Sequence, residues 1–213
     1  MQGFIRGVTP YFILVSMKLK VPFYKQTSDN RCTAASLLMA LVFFKKLSKL
    51  SKNIEIKLCK DIKFPNRYNV AITAQKYGLI PIIRTNVKGI EIKKWLILNK
   101  TPIREIKLYS RAMKISRKNA KNLKIKEQLT NSISISDIAR VLKNKGLVLI
   151  NVNAKFLGHE EVPHMVVITG LNKNRVRLND PLSNNSTIVG IKTFNKAKNF
   201  YGEQTMIGLY KRD

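Results

Sequence analysis

The stretch VPFYKQTSDNRCTAASLLMALVFF, residues 21–44, joins a polar segment, a single cysteine and a long apolar run. Over residues 34–47 apolar side chains fall on nearly every face of a helical wheel, which is typical of a helix buried on all sides. The Ser-Asp-Asn sequence at residues 28–30 is of the type that caps helix N-termini. The sequence therefore predicts the central helix of a lobe, beginning at about Cys32.

The remainder of the first half carries weaker signals of the same kind. Helices are predicted at Asn69–Tyr77, with Gly78 as the C-terminal stop, and at Ile90–Leu98, with an extended segment at residues 79–84 between them. Residues 102–131 are basic and have no clear period. We expect this part to be a connector or a surface insertion.

The second half changes to an extended pattern after one short helix, which we expect Ser136 to cap and Gly146 to end. Apolar or β-branched runs that are typical of strands follow at residues 147–153, 164–169, 175–179 and 205–210. The turn at residues 172–174, Asn-Lys-Asn, predicts an antiparallel hairpin between the second and third runs. The predicted fold class is α+β, with a helical first half packed on an antiparallel sheet from the second half.

A chain of 213 residues has the length of one well-packed domain. Met17 opens a segment that is typical of a domain start, so we expect the domain to cover residues 17–213 and residues 1–16 to form an N-terminal extension. The longest apolar run, at residues 37–44, is far shorter than a bilayer crossing requires, and no transmembrane helix is predicted. The sequence does not indicate an oligomeric state.

The charge of the chain is unusual, because 40 Lys and Arg stand against 12 Asp and Glu, for a net charge of +28. Weak, nonspecific attraction to nucleic acid or to an anionic membrane surface at low salt is expected from it. No nucleic-acid-binding motif is present, so we interpret the lysines mainly as a compositional bias that fills solvated faces. Two cysteines exclude a disulfide framework and a four-cysteine zinc site, and a reducing, cytoplasmic location is predicted.

A cysteine at a helix N-terminus has special chemistry, because unpaired backbone N–H groups and the helix dipole stabilise the thiolate. Cys32 is predicted at such a position, and we interpret it as a nucleophile. A lone cysteine before an apolar helix is also typical of a small buried side chain. Cys59, which has no histidine near it in the sequence, keeps that second interpretation.

Two residues of the second half complete a candidate catalytic set. His164 lies 132 residues after Cys32, a spacing typical of the base in papain-like enzymes, and it opens a predicted strand. If the hairpin at residues 172–174 forms, Asp180 returns to His164 and accepts its second ring N–H. His159, in the loop before the strand, is the alternative base, and an aspartate before a proline is also typical of an ordinary turn.

A glutamine near the nucleophile adds a candidate oxyanion hole. Gln26 lies six positions before Cys32. Its side-chain amide and the backbone N–H of Cys32 would provide two donors for a developing negative charge. The ordinary alternative is a surface glutamine in a loop.

The stretches VPFYKQTSDNRCTAASLLMAL and PHMVVITGLNKNRVRLNDP resemble the bacteriocin-leader (double-glycine) peptidases, family thirty-nine of the cysteine peptidases, in a standalone form without a transporter. The resemblance covers residues 17–211. It implies a papain-like fold that needs no metal or organic cofactor. It also implies a catalytic triad with an oxyanion glutamine, formed by Cys32, His164, Asp180 and Gln26.

Two neighbours of the cysteine depart from the family pattern, which has an acid before the cysteine and a glycine after it. Arg31 and Thr33 occupy these places, and we expect the bulk of Thr33 beside the oxyanion hole to affect substrate preference. The predicted function is cysteine-dependent acyl chemistry on a peptide or acyl substrate, with peptide-bond hydrolysis as the leading reaction. An acyltransferase or transpeptidase of the same fold and a catalytically degenerate basic binding protein are the alternatives.

Overall fold

The computed structural model describes residues 16–90 and 92–212, in which eight strands form one mixed sheet between two hydrophobic cores. The helices of this part, α1 to α7, span Cys32–Phe43, Lys52–Ile62, Arg67–Lys76, Lys93–Leu98, Ile103–Asn122, Ile135–Lys143 and Ile191–Ala197. The strands, β1 to β8, span Met17–Lys18, Leu79–Thr85, Lys126–Leu129, Leu147–Asn153, Pro163–Leu171, Arg175–Asn179, Ser186–Gly190 and Thr205–Lys211. The predicted extension at residues 1–16 lies outside the described residues except for Ser16.

The sheet follows the order β3-β2-β8-β4-β5-β6-β7, and β1 pairs with β5 beside this path. Its described pairs are antiparallel except for β2 with β3, which run parallel. The predicted α+β class is confirmed, although β2 and β3 bring part of the first half into the sheet. The predicted hairpin is confirmed as the β5–β6 turn, where the Asn172 side chain accepts hydrogen bonds from the N–H groups of Asn174 and Arg175 at 3.0 and 2.8 Å.

The central strands are apolar on both faces because each face covers a separate core. In β4, Leu147 and Leu149 belong to the core that contains α1 and α3, whereas Val148 and Ile150 belong to the core that contains α6 and α7. Successive side chains of a strand point to opposite faces, so a strand between two cores has a continuous apolar run. α1 packs against β5 in this arrangement, which brings the N-terminal half of the chain onto the strand that begins at Pro163.

The prediction of a connector or surface insertion at residues 102–131 is wrong, because this part forms the 20-residue helix α5 and the strand β3. A narrow stripe of α5 at three- and four-residue spacing faces the core, through Ile106, Met113, Ser116 and Ala120. The other faces are crowded with basic residues, which obscured the helical period. Neither α5 nor any other helix in the described ranges is both long and apolar enough to cross a membrane.

Two helix starts differ from the predicted ones. Ser134, and not Ser136, caps α6, because its side chain accepts the Asp137 N–H while the Asp137 carboxylate accepts the Ser134 N–H in a capping box. At α1 the cap position belongs to Arg31 and not to residues 28–30, and no side chain of the described residues caps the first turn. The N–H groups at the start of α1 are therefore open to another acceptor.

A residue with positive φ follows most of the described helices. Gly78, with φ of 81°, follows α3 as predicted. Five other helices end at lysines whose φ lies between 54° and 58°, namely Lys45, Lys63, Lys100, Lys124 and Lys145. Glycine usually occupies this position because it has no Cβ to clash. At the end of α6 Lys145 takes the left-handed conformation, one residue before the predicted stop at Gly146.

Candidate active site

Cys32 is the first residue of α1, and two hydrogen-bonding groups of the same helix define the environment of its thiol. One turn later, the Ser36 hydroxyl donates a hydrogen bond to the Met165 carbonyl of β5 at 3.0 Å. This bond joins α1 to the residue next to His164. The Thr33 hydroxyl lies 3.9 Å from the Cys32 Sγ, so the residue that replaces the family glycine contacts the sulfur directly.

His164 and Asp180 are buried together beside Cys32. The Nε2–H of His164 donates to Asp180 Oδ1 at 2.7 Å. Asp180 directly follows β6, and the N–H of Leu182 donates to the same oxygen at 2.9 Å, which fixes the carboxylate. Because Nε2 is committed to Asp180, the other ring nitrogen, Nδ1, is the one available to the Cys32 thiol.

Cys32, His164 and Asp180 shift one another's pKa values. Burial raises the pKa of the Cys32 thiol, but its hydrogen bond and charge interaction with His164 outweigh burial and hold it below the ordinary value. Burial lowers the pKa of His164, whereas its hydrogen bonds to Asp180 and Cys32 raise it to about 9. Burial also raises the pKa of Asp180, and the bond from His164 brings it down to about 2. These interactions shift all three groups towards their charged forms, namely thiolate, imidazolium and carboxylate.

The second histidine, His159, contacts the same carboxylate, which the sequence did not predict. Its Nε2–H donates to Asp180 Oδ2 at 2.9 Å, so each carboxylate oxygen holds one histidine. The His159 ring is partly exposed, and its centroid lies 6.4 Å from that of His164. Asn153 pairs with Pro163, and this pairing closes the loop that carries His159 at the start of β5. In the sequence, the contact is indicated only by the position of His159 shortly before that strand.

Gln26 lines the same cleft and is anchored at both ends. Its backbone N–H donates to the Pro181 carbonyl at 2.9 Å, next to Asp180, and its Nε2 donates to the Ser28 carbonyl at 3.1 Å. Its Oε1 is buried and has no hydrogen-bond partner among the described residues. A carboxamide has two N–H groups, so the bond to Ser28 leaves one for a ligand.

Glu55 is a buried carboxylate that sequence reasoning missed, and it holds the loop before Cys32. The Thr27 N–H donates to its Oε1 at 3.1 Å, the Thr27 hydroxyl donates to Oε2, and the Tyr24 hydroxyl lies 3.4 Å from Oε2. The guanidinium of Arg31 lies 3.6 Å from Oε2. Arg31, the departure from the family pattern, therefore belongs to this network. A glutamate on the buried face of α2, one turn before Leu58, was the available signal.

A cleft of about 480 Å³ opens over the Cys32 thiol. Helices α4 and α5 contribute Trp95 and Tyr109 to its wall, and the Trp95 indole N–H donates to the Glu161 carbonyl at 3.1 Å. Asp29 and Glu160 also line it, whereas none of its described lining residues is Lys or Arg. In the described ranges no cluster of three or more His, Cys, Asp or Glu side chains is arranged to hold a metal ion.

Cys59, the other cysteine, has a different environment. It lies in α2, and burial and the nearby Glu55 charge raise the pKa of its thiol. No histidine contacts it among the described residues. It retains the interpretation as a packing side chain.

A protein-family model described as the Peptidase_C39 like family matches residues 18–206. Two solved structures share the fold, and each alignment covers 93% of this chain and 99% of the other. One is a double glycine motif protease from an AMS/PCAT transporter in complex with the leader peptide, with 18% identity and a TM-score of 0.51, and the other is a C39-like peptidase from Bacillus anthracis, with 17% identity and a TM-score of 0.56. No curated protein matches the chain. Since the family model covers most of its length, the chain belongs to the Peptidase_C39 like family and is a cysteine peptidase-like protein of papain-like fold.

Proposed function

We propose that the chain hydrolyses peptide bonds through a thioester on Cys32, with His164 as acid and base, Asp180 as the residue that orients His164, and Gln26 as an oxyanion donor. The observation that carries this proposal is the His164 ring, which bonds the buried Asp180 carboxylate at 2.7 Å and also lowers the pKa of Cys32. A lowered pKa increases the fraction of Cys32 present as thiolate, and the thiolate is the form that attacks.

Acylation begins when the Cys32 thiolate attacks the peptide carbonyl carbon, forming an S–C bond while the carbonyl oxygen becomes an oxyanion. The C–N bond then breaks, and the leaving amine takes the proton from Nδ1 of the His164 imidazolium. In deacylation, water gives a proton to His164 and attacks the thioester carbon. The S–C bond breaks, the carboxylic product leaves, and the thiolate and imidazolium are restored.

The oxyanion is held by two donors in this proposal. The first is the backbone N–H of Cys32, at a helix start that no described side chain caps. The second is the N–H of Gln26 that the Ser28 carbonyl does not accept. Both donors act on charge that develops only after attack, so they lower the barrier without tightening substrate binding equally.

The cleft supports a peptide as substrate. Its volume of about 480 Å³ suits a few residues of an extended chain, and Trp95 and Tyr109 favour apolar side chains. The double glycine motif protease with the same fold was solved with a leader peptide bound. Thr33 narrows the cleft directly beside the sulfur, which favours small groups at the residue whose carbonyl is attacked.

Activity-based labelling tests the proposal. A cysteine-directed peptidyl electrophile should label the wild type and Cys59→Ala, and it should fail to label Cys32→Ala. The same proteins, incubated with a mixed peptide library, should yield products that mass spectrometry identifies as hydrolysed fragments. Products joined to an added amine would instead indicate acyl transfer. Equal labelling of wild type and Cys32→Ala, together with no peptide cleavage, would contradict the proposal.

A further inference from the structure

Exposed aliphatic side chains are concentrated in one part of the surface. Among the described residues, the isoleucine and leucine side chains that are more than half exposed are Ile97, Leu98, Ile103, Leu108 and Ile115. The first two end α4 and the third begins α5, so three of them surround one turn. Single exposed aliphatic side chains need no explanation, but a group of them marks an interaction surface.

Basic side chains lie beside the aliphatic ones on α5. The helix contains seven Lys or Arg and a single acidic residue. Arg104, Arg111 and Lys118 are spaced seven residues apart and share one ridge, and Leu108 and Ile115 share the neighbouring ridge. The five aliphatic side chains and this basic ridge are termed the α4–α5 face.

The charge of this face is not neutralised from within the protein. Of the seven basic side chains of α5, Arg117 pairs with Glu127 at 2.9 Å, and the other six form no ion pair with any described residue. All seven are exposed. A nucleic acid would match the charge but offers only stacking bases and phosphates. An anionic lipid surface matches both the charge and the aliphatic side chains.

We propose that the α4–α5 face binds the surface of a membrane that contains anionic phospholipid. The aliphatic side chains enter the boundary between headgroups and acyl chains, and the basic ridge contacts the lipid phosphates. The opposite side of α5 is packed in the core through Ile106 and Met113, so the helix binds as a rigid part of the domain. Since Trp95 and Tyr109 line the cleft, the bound membrane lies beside the cleft wall.

Vesicle flotation with the full chain tests this proposal independently of peptidase activity. The wild type should float with vesicles of phosphatidylcholine mixed with phosphatidylglycerol, and it should stay behind with phosphatidylcholine alone. Arg104→Gln/Arg111→Gln/Lys118→Gln should weaken binding about 100-fold, because each basic residue near an anionic surface contributes about fivefold. The matched control, Lys173→Gln/Lys192→Gln/Lys196→Gln, removes the same charge from exposed positions elsewhere and should bind nearly as the wild type.

Substitution of the aliphatic side chains distinguishes binding to a lipid surface from binding to other polyanions. Leu108→Ser/Ile115→Ser keeps the charge and should weaken vesicle binding about tenfold or more while leaving duplex DNA binding unchanged. Ile80→Ser/Ile188→Ser is the control, since both side chains are exposed on strands away from α5. Ile115→Trp should gain a blue-shifted emission on anionic vesicles that Ile188→Trp lacks. Vesicle binding unaffected by Leu108→Ser/Ile115→Ser, or equal loss in both triple charge variants, would overturn the proposal.

Discussion

The candidate active-site cleft and the exposed sides of α5 differ sharply in charge, although the same helix contributes to both. None of the described residues that line the cleft is Lys or Arg, and Asp29 and Glu160 are among them. Helix α5 carries seven basic residues, all of them exposed. A uniform compositional bias would have placed lysines in both regions. The comparison therefore separates a candidate substrate site, whose described lining has no Lys or Arg, from a helix surface on which positive charge accumulates.

The largest expected effect tests the cleft alone. Asp180→Asn should lower peptide turnover about 10⁴-fold, because an amide can hold the His164 ring in the wrong tautomer. His164→Ala should be at least as damaging, and both variants should bind anionic vesicles as the wild type does. Steady-state kinetics and flotation measure the two properties on the same preparations.

His159→Ala is the matched control for this test. His159 contacts the second oxygen of Asp180, so its removal leaves the bond between His164 and Asp180 in place, and most of the activity should remain. If His159→Ala proves inactive while His164→Ala retains turnover, the assignment of the base is wrong.

Gln26→Ala should give the next largest effect, again restricted to the cleft. Loss of one oxyanion donor costs about 100- to 1000-fold in turnover. KM should change much less, because the donor acts after negative charge has developed. Gln75→Ala removes a glutamine on α3 and should leave both constants unchanged. Equal kcat values for wild type and Gln26→Ala would make Gln26 a surface residue.

Glu55→Gln should lower kcat about 10- to 100-fold, because a small displacement of the loop between Gln26 and Cys32 misaligns the oxyanion donors. The substitution keeps the shape and removes the charge that Arg31 and Thr27 contact. Arg31→Gln should give a similar but smaller loss, and the double variant should be no worse than Glu55→Gln alone. A lower melting temperature with unchanged kcat would show that Glu55 supports only the fold.

The two cysteines should differ in their response to pH. Cys32 should be alkylated with a midpoint below the ordinary thiol value of about 8.5, and Cys59 above it. At pH 7 this predicts a higher rate for Cys32 than for Cys59, since a lower pKa increases the fraction of thiol present as thiolate. Peptidase activity should fall again above about pH 9, where His164 loses the proton that the leaving amine needs. Identical pH profiles for the two thiols would contradict the ion pair.

Substrate charge gives the smallest effect and probes the comparison most directly. A peptide with lysine near the cleaved bond should be hydrolysed better than one with glutamate there, and about fivefold better than one with a neutral side chain, because one charge contact at 4 Å in water is worth about this factor. The net charge of +28 would predict the reverse. A preference for the glutamate peptide that disappears at high salt would show that the overall charge dominates the cleft.

Local signals predicted the parts of the fold that are strongly apolar. α1, β4 and the β5–β6 hairpin follow from continuous apolar runs and an Asn-rich turn, and they position Cys32, His164 and Asp180. Other parts depend on partners that are distant in sequence. β3 has the sequence KEQL, with two residues exposed and two half-buried, and it is a strand because β2 pairs with it. Glu55 acquires its contacts only when the loop before α1 folds over α2.

The lysines with positive φ at the ends of five helices imply that the free energy of unfolding can be increased by substitution at these positions. A non-glycine residue with positive φ costs about 1 kcal/mol in the folded state, and glycine at such a position recovers part of this because its own folding entropy is less favourable. The bias that enriched lysine thus acts on the backbone as well as on the surface charge. Exchanging Lys45, Lys63, Lys124 and Lys145 for glycine should make the protein more heat-resistant and less basic at once, whereas Lys100 lies in the turn of the α4–α5 face.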